Sequence, residues 1–319
     1  MPAAADHLAD AGAVAVEVLG SLAERDVALG PMTTYRVGGP ADVFVRARRA
    51  EDLVRVAEAA RRSGLEVLPI GRGSNMLISD AGFRGIALSL VEFDDVLDID
   101  AETAMVTVSA GMALPVVARK TATAGLSGFE WAVGVPGSIG GAVRMNAGGH
   151  GSDMAAVLVD VSVVDLSTST VSSAVERTLA AGEIGLGFRH SELPVSAVVV
   201  SARLQLAPGD RATSEAAIAE IVSWRRANQP GGQNAGSVFV NPVPGEVSAG
   251  ALIDAAGLRG LRVGSAHVSE KHANFIQVAD GGSADDVRAL MQVVRERVEE
   301  ISGYVLRSEI RLVGFEDES

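Results

Sequence analysis

The sequence contains no cysteine. That removes disulfides, thiolate nucleophiles, cysteine-ligated zinc and iron–sulfur clusters together. Aromatic residues are scarce at 4%, with two Trp and two Tyr, so a core has to be assembled chiefly from Ala, Val, Leu and Ile. Long apolar runs are missing as well. Residues 11–16, the longest such run near the N-terminus, include a glycine and fall far below the roughly 18 residues that span a bilayer. Positive charge is short: 27 Lys and Arg stand against 40 Asp and Glu, a formal net charge of −13. Extended nucleic acid and anionic membrane surfaces call for clustered Lys and Arg, so neither is an expected partner. Local pockets for small anions are untouched by that argument.

What remains is the composition of a globular protein, 48% hydrophobic and 21% charged, rather than a disordered one. A length of 319 residues suggests about two domains. The first 30 residues carry Asp6, Asp10, Glu17, Glu24 and Asp26 and no basic stretch ahead of an apolar one. They do not read as a secretory signal, and a cytoplasmic protein, monomeric, is expected. Their amphipathic pattern reads as a helical segment that either packs on the fold or meets a partner. No His, Asp or Glu cluster suggests a metal site.

Strand-like and helix-like patterns alternate along the chain. Strands are predicted over 42–47, 66–70, 76–78, 85–90, 96–99, 105–109, 157–164 and 197–206. Helices are predicted over 51–63, with Gly64 as its stop signal, and over 114–124. A new block begins near 207–212, with helices over 213–228, 249–256 and 283–302 and a strand over 275–278. In the helix over 283–302, Val287, Leu290, Met291, Val294, Val298 and Ile301 share a face, and Ser283 reads as an N-cap with Asp286 three residues on. Alternation over 305–313 predicts a last strand, with Leu306, Ser308, Ile310 and Leu312 on one face and Arg307, Glu309 and Arg311 on the other. The class is α+β.

Two glycine-rich loops carry chemistry. Gly71-Arg72-Gly73-Ser74-Asn75 follows a predicted strand. Glycines on either side of one residue let backbone N–H groups turn toward an anion, although short Gly-Ser loops also serve as plain turns. It is neither a Rossmann fingerprint nor a P-loop. The segment from Gly134 to Gly149 holds six glycines interleaved with Val, Ile, Met and Pro, unlike a polar linker. It is therefore expected to be buried, and its irregular backbone must find hydrogen-bond partners. A tight packing loop and a cradle for an extended ligand such as a dinucleotide both satisfy that demand.

At these loops the chain resembles the UDP-N-acetylenolpyruvoylglucosamine reductases, flavoenzymes of bacterial cell-wall synthesis. The resemblance starts at Thr33-Thr34-Tyr35-Arg36-Val37-Gly38-Gly39-Pro40-Ala41 and continues through the first glycine loop and Gly82-Phe83-Arg84-Gly85. Glu130-Trp131-Ala132-Val133-Gly134-Val135-Pro136-Gly137, Asn146-Ala147-Gly148 and Gly187-Phe188-Arg189-His190-Ser191 follow. Asn234-Ala235-Gly236-Ser237, the run from Leu252 to Gly260, Lys271-His272-Ala273-Asn274-Phe275 and Ser308-Glu309-Ile310-Arg311 complete the ordered set. It covers residues 31 to 313, and its order makes it specific.

The resemblance implies an FAD-binding domain of two α+β subdomains (a PCMH-type flavin fold) over 31–207, after a helical segment over 1–30. A substrate-binding α+β domain over 208–319 would follow. It implies non-covalent FAD, NADPH as co-substrate, and UDP-N-acetylglucosamine enolpyruvate reduced to UDP-N-acetylmuramate. Hydride would pass from NADPH to FAD and from flavin N5 to C3 of the enolpyruvyl group, with a proton added at C2. Arg189 would bind the enolpyruvyl carboxylate and stabilise charge growing there, since a guanidinium stays charged and presents a fixed fork of donors. Ser237 would give the proton, and Glu309 would assist as a general acid or through hydrogen bonds. Read without the resemblance, Arg189 is a surface arginine, Ser237 a turn residue and Glu309 a cross-strand charge partner.

For FAD the same resemblance points to Gly71, Arg72, Gly73, Ser74, Asn75, Gly134, Ser138, Gly140, Gly141, Asn146 and Gly148. For the UDP-sugar it points to Asn241 and His272, which are equally readable as turn-capping residues. Asn228 stands where the family often has Lys or Arg, so diphosphate binding would fall on Arg225, Arg226 or Lys271. The 48 positions from Arg189 to Ser237 (237 − 189) resemble the family's short-loop subclass. His150, in place of the usual aromatic, reads as tolerated. Two other readings compete. An oxidase of the wider flavin superfamily commonly links FAD through His or Cys, and a nucleotide-sugar or flavin binding protein would show no turnover.

Overall fold

The computed structural model describes residues 2–93, 96–167 and 176–315. The chain divides into two compact units. One consists of Met1–Val27, Ala41–Arg72 and Arg84–Trp224, the other of Ala28–Pro40, Gly73–Phe83 and Arg225–Ser319. The division falls in the helix that the sequence places at the head of its second domain. Two early stretches of chain also belong to the later unit.

In the first unit, helix α1 (Pro2–Leu19) packs on α2 (Ala50–Ser63). Ala15 and Leu19 join Leu53, Val56, Ala57 and Ala59 in one apolar cluster. The terminal helix therefore has a packing role. Arg55 Nη2 donates to the Val18 carbonyl at 3.0 Å, fastening the end of α1. Helix α2 starts where Asp52 accepts from the amides of Arg48 and Arg49 (2.8 and 3.3 Å). It stops at Gly64, whose φ of +73° suits glycine. Strands Ala23–Ala28, Pro40–Arg46, Phe83–Ser89 and Val67–Ile70 form a sheet in that order, the last two parallel with Val67 opposite Ile86.

A second sheet in this unit is antiparallel throughout. Its order is Glu176–Ala180, Leu158–Asp165, Ala197–Gln205, Met105–Ser109, Leu97–Asp100. Helix α3 (Leu114–Thr123) and the short α4 (Ile139–Arg144) cover it. Val106, Val108, Val161, Ala202 and Leu204 pack there with Leu114, Val117, Ile139 and Val143. The few aromatics are placed economically, with Phe129 and Trp131 edge to face at 5.3 Å between centroids in the same cluster. Helix α5 (Arg211–Asn228) begins on Asp210, whose carboxylate accepts from the Thr213 amide at 2.8 Å.

The second unit contains α6 (Ala249–Ala255), α7 (Ala284–Ser302) and a three-stranded antiparallel sheet, Arg262–Val263, Ala266–Val268 and Ile276–Val278. Its core takes Tyr35 and Leu77 from the two early stretches alongside Phe239, Ile253, Val287, Leu290 and Val294. Arg311–Val313 pairs in parallel with Met76–Ile78. Ser283 is the N-cap of α7, its Oγ accepting from the Asp286 amide at 3.2 Å.

Several expectations need correction. Ile301, at 61% exposed, is off the buried face of α7. The last strand spans only 311–313, not 305–313. Before it, the chain is held by single bonds, Val240 N to the Arg307 carbonyl (3.0 Å) and Glu309 N to the Val238 carbonyl (2.8 Å). Ser308 is consequently exposed while Leu306 and Ile310 are buried, so strict alternation fails. Ala23–Ala28 and Glu176–Ala180 were not anticipated; both are sheet-edge strands and mostly exposed.

Candidate active site

Strand Val67–Ile70 delivers the chain to Gly71 and Arg72, the last residues of the first unit's middle stretch. In the same unit Ser138 caps α4, with its Oγ accepting from the Gly141 amide at 3.4 Å. A Cβ on Gly71 would overlap Ser138 Oγ. The two glycine loops thus meet at this point, and any Cβ at Gly71 would force the Ser138 hydroxyl aside.

The protein itself accounts for much of the second loop. Gly134 lies against the His150 ring, Gly140 against Ala110 and Gly148 against Asp153, where an added Cβ would stand 3.1, 2.9 and 2.5 Å from the nearest atom. The amides of Ile139, Gly140 and Ala142 donate to the carbonyls of Met112, Ala110 and Ser138. These backbone groups find their partners within the protein, as the packing-loop reading of this segment expects. Toward Gly149 nothing lies within 4 Å of an added Cβ. Trp131 Nε1 is a buried donor without a partner. A buried unpaired donor, two loops that meet at a glycine, and open space over Gly149 fit a large polar cofactor such as FAD. Gly71, Arg72 and Ser138, which the resemblance points to, could hold it from this unit.

Arg189 lies in the first unit at φ +53°, in a turn closed by Gly187 N to His190 O (2.9 Å) and His190 N to Gly187 O (3.2 Å). Its guanidinium stands 5.3 Å over the exposed Phe188 ring. His150 sets its ring edge-on to Trp224 at 5.2 Å, which is an aromatic packing role for the departure at that position.

Ser237 and Glu309 belong to the second unit, and the fold makes their segments neighbours. The Glu309 amide donates to the carbonyl of Val238, the residue after Ser237. Asn75 joins them, with Nδ2 donating to the Glu309 carbonyl at 3.1 Å and its own carbonyl accepting from the Arg311 amide at 2.9 Å. The resemblance points to Asn75 as a cofactor residue; its carboxamide also braces the Glu309 backbone. Gly73 lies in this unit too, its carbonyl accepting from the Thr34 amide, and Ser74 follows it.

Asn274, 4% exposed, was not singled out from the sequence. It donates to the Phe239 carbonyl (2.8 Å), accepts from the Phe239 amide (3.0 Å) and offers its own carbonyl to the Val238 amide (2.9 Å). A buried Asn inside a motif was the available signal. Tyr35 is fully buried beneath the serine motif. Burial pushes its phenol up, and its hydroxyl faces the Ala235 backbone without a well-formed hydrogen bond.

The residues expected to bind the UDP-sugar are spread through the second unit. Asn241 Oδ1 accepts from the Ala249 amide at 3.0 Å, at the start of α6. The His272 ring lies tilted against Phe275 at 4.6 Å between centroids, and burial, then the charge of Arg259, hold it below its ordinary value. Lys271 Nζ donates to the Arg226 carbonyl at 2.5 Å, near the end of α5. Burial lowers the Arg225 guanidinium. Among the described residues no cluster of His, Asp and Glu could hold a metal ion, and no helix is long and apolar enough to cross a membrane.

Residues 41–174 match the FAD binding domain model, which places the α+β unit with its two glycine loops among FAD-dependent oxidoreductases of the PCMH-type flavin fold. Residues 228–313 match the model for the UDP-N-acetylenolpyruvoylglucosamine reductase C-terminal domain. The chain belongs to the UDP-N-acetylenolpyruvoylglucosamine reductase family. It is 43% identical to the Gloeobacter violaceus reductase over 291 residues, 90% of this chain and 95% of that one. It is 41% identical to the Acidiphilium cryptum reductase over 312 residues, 98% and 97% of the two chains. The crystal structure of the reductase from Thermus caldophilus superposes with a TM-score of 0.75 at 34% identity, covering 91% of this chain and 98% of that one.

Proposed function

We propose that the protein catalyses the NADPH-dependent reduction of UDP-N-acetylglucosamine enolpyruvate to UDP-N-acetylmuramate in peptidoglycan precursor synthesis. FAD, when bound, would supply the hydride chemistry that links NADPH to C3 of the enolpyruvyl group. Arg189 pairs with the substrate carboxylate and offsets the negative charge that grows there. Ser237 donates the proton to C2. A hydroxyl is a weak acid, so this role needs a dry, cationic setting, and Ser237 is half-buried. Glu309 assists at the same stage as a general acid or through hydrogen bonds. With Ala28–Pro40 and Gly73–Phe83 grouped with the second unit and the chain as far as Trp224 with the first, the region over 31–207 would bind FAD and that over 208–319 the UDP-sugar. Asn241, His272, Arg225, Arg226 and Lys271 are its candidate contacts, in a short-loop enzyme.

One observation carries the reading: two residues of distant motifs, Ser237 and Glu309, lie on segments joined by the Glu309 N to Val238 O bond, with Asn75 bonded to the same glutamate. Anaerobic half-reaction kinetics test it. NADPH should reduce the flavin, and UDP-N-acetylglucosamine enolpyruvate should reoxidise it. NADPH consumption that the enolpyruvyl substrate does not stimulate refutes the proposal.

A further inference from the structure

The turn that presents Arg189 is fixed on both sides by one short stretch, Arg144 to Asn146, of the same unit. Two residues before Arg189, the Gly187 carbonyl accepts from Asn146 Nδ2 at 2.9 Å. Two residues after it, Ser191 Oγ donates to the Arg144 carbonyl at 2.8 Å. The Arg144 guanidinium continues the attachment, donating to the carbonyls of Leu193 (2.7 Å), Pro194 (2.9 Å) and Ala197.

Asn146 is 5% exposed, and its carboxamide makes three hydrogen bonds within the protein. Besides Gly187, Nδ2 meets Asp153 Oδ2 at 3.3 Å, and Oδ1 accepts from the Ala155 amide at 2.9 Å. Both amide hydrogens and one lone pair are used within the protein, which leaves little with which to grip a cofactor. Arg189 itself sits at φ +53°. A non-glycine residue keeps that conformation only where its surroundings over-determine it.

We propose that Asn146 is a positioning residue for Arg189, holding the turn at Gly187 so that the guanidinium meets the substrate carboxylate, with Ser191 as the second anchor. This rests on the reading of Arg189 given above. Coupling a carboxylate-binding group to the loop that begins at Ser138 ties the place where charge develops to the proposed flavin cradle.

The test uses Asn146→Gly in the flavin-loaded enzyme, because glycine accepts the local φ of +39° and only the carboxamide is lost. Flavin content per chain and flavin reduction by NADPH should match wild type. Reoxidation by UDP-N-acetylglucosamine enolpyruvate should slow about 10- to 100-fold, the scale of a misplaced reacting group. Ser191→Ala should slow the same half-reaction, and it carries the test if Asn146→Gly does not fold. In an Arg189→Lys background, adding Asn146→Gly should slow reoxidation no further. Loss of flavin, equal slowing of both half-reactions, or full additivity with Arg189→Lys overturns the proposal. Wild-type enzyme that the substrate does not reoxidise overturns the proposed function and this inference with it. A wild type that turns over beside an unaffected Asn146→Gly overturns the inference alone.

Discussion

Replacing Gly71 by alanine tests the meeting of the glycine loops. The backbone at Gly71 is outside the left-handed region, so alanine is not strained there and should gain about 0.4–1 kcal/mol by restricting the unfolded chain. Against this, the new Cβ overlaps Ser138 Oγ, while Ser138 Cβ stands at an ordinary 3.4 Å. The hydroxyl must rotate away. That forfeits the α4 cap, worth about 1 kcal/mol, and leaves a hydroxyl without its partner in a side chain that is 3% exposed, costing about 1–2 kcal/mol more. The net expectation for Gly71→Ala is a loss of about 1–2 kcal/mol. In a Ser138→Ala background the obstacle is gone, and the same change should be neutral or slightly stabilising. The coupling between the two substitutions is therefore about 2 kcal/mol. At about 2–4 °C per kcal/mol for a unit of this size, it should appear as a departure from additivity of about 4–8 °C in the melting temperature of the flavin-free protein. Titration of each variant with FAD, followed by flavin fluorescence, reports the same contact from the ligand side. Additive melting shifts would refute the argument, because they would mean that Gly71 and Ser138 do not touch.

Ser237→Ala should leave flavin reduction by NADPH intact and slow reoxidation by the enolpyruvyl substrate by about 10²–10⁴-fold, the range for a lost proton donor; stopped-flow absorbance of each half-reaction checks this, and equal losses in both would remove Ser237 from that role. Ser283→Ala removes both the cap on the Asp286 amide and the donor to Asp80 Oδ2 at 2.5 Å, so urea denaturation should show about 1–2 kcal/mol lost, and Ser283→Asp should not restore it, because its carboxylate would face that of Asp80. His272 is held below the ordinary histidine value of 6.5 by burial and by Arg259. As pH falls below 6.5 the unfolded chain takes this proton before the folded one, so stability should decline there and not above it. His272→Gln should flatten that part of the melting-temperature profile between pH 7.5 and 5, and an unchanged slope would exclude the residue.

Elements with local signals were readable. Gly64 ends α2 and Ser283 caps α7 because caps and stops are properties of a few adjacent residues. The edge strands were hidden because alternation marks a strand only where one face is buried, and Ala23–Ala28 and Glu176–Ala180 have water on nearly every side chain. Alternation misled over 305–313, where Leu306 and Ile310 are buried by separate contacts and no continuous ladder forms. At the site, the glycine loops stood out in composition. Their meeting at Gly71 and Ser138, the brace of Asn274 on the serine motif and the clasp of Asn146 on Gly187 join residues dozens of positions apart. No local pattern encodes such pairings.

The parallel pairing of Met76–Ile78 with Arg311–Val313 has a consequence for the newborn chain. When Ile78 leaves the ribosome, its partner lies 235 residues away (313 − 78). At about 5–20 residues per second, synthesis leaves that strand without its ladder for roughly 10–50 s. Leu77, fully buried in the finished protein, is uncovered meanwhile, as is the strand edge that invites unwanted pairing. Truncation near the C-terminus should therefore strip Met76–Ile78 of its partner strand, more than 200 residues upstream of the cut.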